Sequence, residues 1–153
     1  MGGLHLRRPA AQVTSEAPVG ASAEESTGAP GFGADAPLLS LRPVDPLADA
    51  ELLHGWVSSP RAVFWGMGGL EAETVSAIYA EIAASDSHHA WVLELEDRPL
   101  GLLQTYHPHA DPIGGAYLPR AGDLGMHLLL APARRPQPGL TSALAESLAQ
   151  FLF

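Results

Sequence analysis

No cysteine and no lysine occur among the 153 residues of this chain. Without cysteine there is no disulfide framework, no thiol nucleophile and no thiolate metal site. A chain free of disulfides suits the cytoplasm, the compartment expected here. All eight cations are arginine, set against 17 Asp and Glu, for a formal net charge of −9. That balance has the wrong sign for a nucleic-acid partner, because phosphate contacts need clustered Lys and Arg. Long hydrophobic runs are lacking too. No stretch approaches the roughly 18 apolar residues of a membrane span, so no membrane partner is expected. What remains, 46 % hydrophobic and 16 % charged, is the composition of one globular domain with a real core.

Residues 1–37 read as a disordered leader. Their Ala, Gly, Ser, Pro and Glu content, as in Glu24-Glu25-Ser26-Thr27-Gly28, buries too little apolar area to offset ordering entropy. Arg7 and Arg8 precede no continuous apolar run, which argues against a secretory signal. The acids Glu16, Glu24 and Glu25 argue against a transit peptide.

Structure is expected from Leu38. Residues 38–42 read as a strand, and Asp45-Pro46 as a helix N-cap followed by proline at the first helical position. Leu52, Leu53, Trp56 and Val57 give that helix its buried side, with His54 at its boundary. Phe64-Trp65 form an aromatic segment among small residues. A second helix carries Glu71 and Glu73 in its first turn and Val75, Ile78 and Ile82 as its stripe. His88-His89 lie at a turn. Residues 90–96 then alternate, with Trp91, Leu93 and Leu95 on one face. Asp97-Arg98-Pro99 should turn the chain into a second strand, residues 100–106, carrying Leu100, Leu102, Gln104 and Tyr106 on one face. His107, His109 and Asp111 follow in a proline-interrupted loop. Their spacing is too loose for a metal site, and no metal is expected. Gly114 and Gly115 would let residues 113–121 swing over a pocket.

The most informative stretch is residues 122–153. A polar turn, Gly122-Asp123, leads into an apolar strand, residues 124–130, in which His127 shares a face with Gly125 and Leu129. A loop of Pro, Arg, Gln and Gly follows, then a helix with Leu140, Leu144, Leu148, Phe151 and Leu152 in one stripe. Strand, basic loop and helix in this order let backbone N–H groups at the helix start meet an anionic group, with Arg134 and Arg135 adding charge.

Three pieces together, TYHPHADPIGGAY at 105–117, GDLGMHLLLAP at 122–132 and RPQPGLTSAL at 135–144, resemble the GNAT acyltransferase superfamily. Within it, they are most similar to the siderophore-biosynthesis branch that acylates hydroxylated lysine or related amines. The segment SSPRAVFWGM at 58–67 adds a weaker match. The resemblance implies an α/β (α+β) fold, a mixed, mainly antiparallel sheet flanked by helices, over residues 38–153. It implies acetyl-CoA as acyl donor, a small hydroxylated amine as acceptor, and His127 as the base. Leu129, Leu130, Arg134, Arg135, Gly139, Leu140 and Thr141 would hold the donor, with the pyrophosphate on the loop 134–141. Trp65, Gln104 and Tyr106 would shape the acceptor pocket, and Asp123 would hold the loop before the strand. Pro136 and Pro138 depart from the glycine-rich loop of the superfamily and remove two N–H donors.

The sequence ends at Phe153 inside an apolar helical pattern, where the family continues with a strand, a helix and two more strands. The expectation is therefore a partial domain lacking its C-terminal part, with an open sheet edge that favours pairing with a second chain. Two other readings stay open: a remnant that binds only coenzyme A or a partner, and an acetyltransferase for an ordinary amine.

Overall fold

The computed structural model describes residues 5–7, 38–133 and 138–152. A five-stranded sheet runs in the order β1 (His5–Arg7), β2 (Leu38–Pro43), β3 (His88–Leu95), β4 (Arg98–Tyr106), β5 (Gly125–Leu130). Only β1 and β2 pair in parallel; every other neighbour is antiparallel. Helices α1 (Ala50–Val57) and α2 (Ala72–Ala83) form one layer, and α3 (Leu140–Leu152) the other.

Strand alternation generates both faces at once. Val92, Leu102 and Leu129 point to the α1–α2 side, where they pack with Leu53, Val57, Val75 and Tyr79. Leu39, Leu41, Leu93 and Leu103 point the other way and close over Leu144 and Leu148 of α3. Each fully buried leucine contributes roughly 1.5–3 kcal/mol, so α3 is held by its stripe.

Several local expectations are corrected. His5–Arg7 pairs with β2, inside the segment expected to lack structure. Asp45 does cap, its carboxylate accepting from the N–H of Leu47 (3.0 Å) and Ala48 (2.9 Å), but it caps a turn. Helix α1 starts at Ala50, one turn later. The hairpin turn is Glu96-Asp97, with φ of 52° and 60°, and not Asp97-Arg98-Pro99. A two-residue loop with positive φ at both positions matches the twist of the flanking strands. Leu100 is an extra residue on β4, opposite the step from Leu93 to Glu94. It therefore turns to the α3 side, away from the face of Leu102. His88 and His89 begin β3 instead of lying in a turn.

The connection from β4 to β5 contains two short 3-10 turns, Pro108–Ala110 and Pro112–Gly115. A Cβ on Gly114 would strike the carbonyl of Pro108. This glycine is thus required by a close backbone contact, while Gly115 beside it has open space around it. Among the described residues no helix is long and apolar enough to cross a membrane.

Candidate active site

His127 sits in the middle of β5, directly opposite Gln104 of β4. It is exposed and belongs to neither core cluster. Its imidazole stacks on the ring of Tyr106 (4.8 Å between centroids, 25° between planes) and meets Trp65 edge-on (6.0 Å, 70°). These distances suit aromatic pairs, which prefer offset-stacked or T-shaped geometry.

Tyr106 can lie flat here because residue 125 is glycine. A Cβ at Gly125 would enter the Tyr106 ring. On its far side the same ring stacks with His88 (5.8 Å, 15°). Burial, then the carboxylate of Asp111, hold the Tyr106 phenol above its ordinary range. His88 in turn has Ser87 Oγ at 3.0 Å from its Nδ1 and Asp111 at 3.9 Å from its Nε2. Among the described residues no group of three or more His, Asp or Glu is placed to hold a metal.

Trp65 and Gln104 meet on a residue that sequence reasoning passed over. Trp65 Nε1 donates to the Tyr79 hydroxyl at 3.1 Å, and Gln104 Nε2 donates to the same oxygen at 3.3 Å. Tyr79 is fully buried, and burial pushes its phenol up to about 12. A signal for it existed. Val75, Tyr79 and Ile82 stand at i, i+4 and i+7, and they mark the helix face better than Val75, Ile78 and Ile82. His88 was missed because nothing local shows which residue crosses from Tyr106.

Trp65, Gln104, Tyr106 and His127 thus converge on one face of the sheet. Asp123 lies apart and serves its turn, accepting from the N–H of Arg120 at 2.9 Å. Phe64, beside Trp65, is fully exposed and covers no core.

The expected donor-binding residues lie along the same strand and beyond it. Ala131 N–H donates to Leu100 O at 2.9 Å, continuing the β4–β5 register. By the alternation of an antiparallel ladder, the N–H of Leu129 then points to β4, while those of Leu128 and Leu130 point to the outer edge. Among the described residues no strand pairs with that outer edge, and Leu129 contributes its buried side chain to the core. Past β5 a cleft of about 950 Å³ opens, lined by Ala131, Pro132, Ala133 and Leu140 together with Trp56 and Leu100. Gly139, with φ of 81°, turns the chain into α3, and Thr141 is exposed in its first turn. Arg134 and Arg135 lie outside the described residues.

Residues 45–153 match the Acetyltransferase (GNAT) domain family. The chain belongs to this family. Its sheet and flanking helices are the GNAT fold, as the resemblance implied. Among curated proteins, this GNAT chain is 32 % identical over 96 residues to the N(6)-hydroxylysine O-acetyltransferase of Escherichia coli, covering 61 % of this chain and 30 % of that protein. It is 30 % identical over 94 residues to the N-hydroxyputrescine acetyltransferase of Acinetobacter baumannii, covering 60 % of this chain and 44 % of that one. The GNAT chain thus spans less than half the length of either relative. Among solved structures, an uncharacterized protein from Bacillus halodurans shares the fold, with a TM-score of 0.69 at 22 % identity over 77 % of this chain and 61 % of that one. The aminoglycoside acetyltransferase AAC(6')-Ib, solved with ribostamycin and coenzyme A, superposes with a TM-score of 0.63 at 25 % identity, covering 75 % of this chain and 66 % of that one.

Proposed function

We propose that this GNAT domain serves the transfer of an acetyl group from acetyl-CoA to the nitrogen of a small N-hydroxylated amine, of the N6-hydroxylysine type, for hydroxamate siderophore assembly. The observation that carries this reading is the exposed His127, framed by Trp65 and Tyr106 and opposite Gln104. The two curated relatives, both named for hydroxylated amines, support the acceptor class.

The chemistry asks little of the protein beyond position. A hydroxylamine nitrogen is largely neutral at physiological pH, so it attacks the thioester carbonyl without prior deprotonation. The C–N bond forms as the C–S bond breaks. His127 accepts the proton released by the nitrogen, and the leaving thiolate takes a proton to depart as free thiol. The outward N–H of Leu130 lies about 10 Å along the strand from His127, three residues at the rise of a β-strand. It is suited to fix the donor against the edge. The first N–H groups of α3 and the guanidinium groups of Arg134 and Arg135 offer charge to the pyrophosphate.

A second reading, an ordinary amine as acceptor, is favoured by the likeness to AAC(6')-Ib over 75 % of this chain. Thiol release from acetyl-CoA decides between them. N6-hydroxylysine should be turned over faster than lysine or ribostamycin, and His127→Ala should slow that turnover at least about a hundredfold. Arg135→Glu should weaken coenzyme A binding in calorimetry. Faster turnover of lysine or ribostamycin overturns the acceptor, and unchanged turnover by His127→Ala overturns the base.

A further inference from the structure

The buried hydroxyl of Tyr79 receives two N–H donors, Trp65 Nε1 and Gln104 Nε2, from two different elements. A phenol oxygen has two lone pairs, and both are used here. Tyr79 itself is rooted in the core between α2 and the sheet, with no exposed surface. Its oxygen is therefore a fixed point, and the amide of Gln104 is pinned to it by the nitrogen end. Gln104 is only half-buried, and among its described hydrogen bonds the carbonyl oxygen Oε1 has no partner. That oxygen is left on the face that Gln104 shares with His127 and Trp65.

From this geometry we infer that Tyr79 is a specificity-determining residue: it locks the Gln104 amide so that Oε1 meets the acceptor and selects one carrying an O–H donor beside its nucleophilic nitrogen. The inference rests on the acceptor class proposed above. In that class His127 accepts the N–H proton, and Gln104 Oε1 accepts the O–H. An amine without the hydroxyl can offer Oε1 only a second N–H on the nitrogen itself, one bond short of the O–H, and so leaves Oε1 poorly paired. Sites built to bond a substrate hydroxyl reject analogues that lack it strongly, because the unpaired partner is desolvated for nothing. Pinning matters because an unclamped glutamine amide presents NH2 or C=O by a half-turn of its last torsion. Trp65 shares the same oxygen, so the aromatic wall and the polar selector are set by one group.

Two measurements on the full chain test this. In the first, the side-chain amide protons of Gln104 are followed by NMR without any ligand. They should exchange slowly with solvent in the wild type and quickly in Tyr79→Phe. Equal exchange in both, or fast exchange in the wild type, means that the nitrogen end is not clamped, and the inference fails. In the second, binding of N6-hydroxylysine and of lysine is compared by calorimetry in the presence of coenzyme A. The wild type should favour the hydroxylated ligand by about tenfold or more, and Tyr79→Phe and Gln104→Leu should each reduce that ratio toward one. A wild type that binds lysine as well as N6-hydroxylysine, or binds neither, overturns the acceptor reading itself. A wild-type preference that survives both substitutions leaves the acceptor reading standing and overturns the role of Tyr79. Should Tyr79→Phe melt well below the wild type, Gln104→Leu alone decides the second measurement, since Gln104 is not a core residue.

Discussion

At the scale of the residue, glycine at 125 decides where the aromatic rings go. Tyr106 lies across the space a side chain would fill, and from there it stacks on both His127 and His88. Gly125→Ala is expected to push the Tyr106 ring out of this stack, at a cost of about 1–3 kcal/mol in stability. Near-UV circular dichroism should change along with the melting temperature, and a variant with both unaltered would show that the ring has room to spare. Much of this cluster was legible in advance. Trp65, Gln104, Tyr106 and His127 were each legible from the motifs or from strand alternation, and they do share one face. Tyr79 and His88 were not legible as members of this cluster. Their places depend on which strand and helix lie across from Tyr106 and Gln104, and local periodicity carries no information on that.

Among the elements, β4 shows how one extra residue changes a reading. Alternation predicted a single face for Leu100, Leu102, Gln104 and Tyr106, and it holds from Leu102 onward. It fails at Leu100 because the ladder steps by one between Pro99 and Gly101, and a one-residue step reverses the side. The step sits beside a close approach of two backbones. A Cβ on Gly101 would lie 2.5 Å from the Leu129 carbonyl oxygen and 3.2 Å from Leu130 Cα. Backbone atoms cannot move aside as a flexible side chain can. Gly101→Ala should therefore separate β4 from β5, lower stability by about 1–3 kcal/mol and speed amide exchange along β5 in particular. Exchange that quickens evenly over the whole sheet would locate the damage elsewhere. Helix α1 is a second case. Asp45 was expected to be its N-cap, but that carboxylate closes a separate turn, and the residue before Ala50, Asp49, gives its own carboxylate to Arg42 and to the N–H of Asp45.

For the whole molecule, one ion-paired group joins the layers. Arg42 of β2 donates to both oxygens of Asp49 (2.7 and 2.8 Å), ahead of α1, and to Glu94 of β3 (2.9 Å). The guanidinium holds the Asp49 carboxyl below its ordinary value of 3.8. A carboxyl with a lowered folded pKa stabilises the fold above its unfolded value, and that contribution fades as pH falls through the folded value. Asp49→Asn should therefore cost about 1–3 kcal/mol at neutral pH, discounted because Arg42 is partly solvated. The gap to wild type should narrow below pH about 4, as read by denaturant melts at both pH values. A gap independent of pH would assign the loss to packing. Most single strands and helices were legible from the two hydrophobic periods and the α/β plan from the motif resemblance, whereas the pairing of His5–Arg7 with β2 was not, since three residues carry too little pattern. The Glu96-Asp97 turn also bears on how quickly this chain finds its native state. The β3–β4 hairpin is the most local pairing in the sheet and lies at its centre, so its closure is suited to be the early, rate-setting event on which β2 and β5 then assemble. Closing it requires two side-chain-bearing residues to enter a left-handed conformation that glycine adopts freely. Replacing Asp97 with glycine should thus accelerate refolding in stopped-flow experiments while leaving the unfolding rate nearly unchanged, and the native turn acts as a brake on the kinetics of folding.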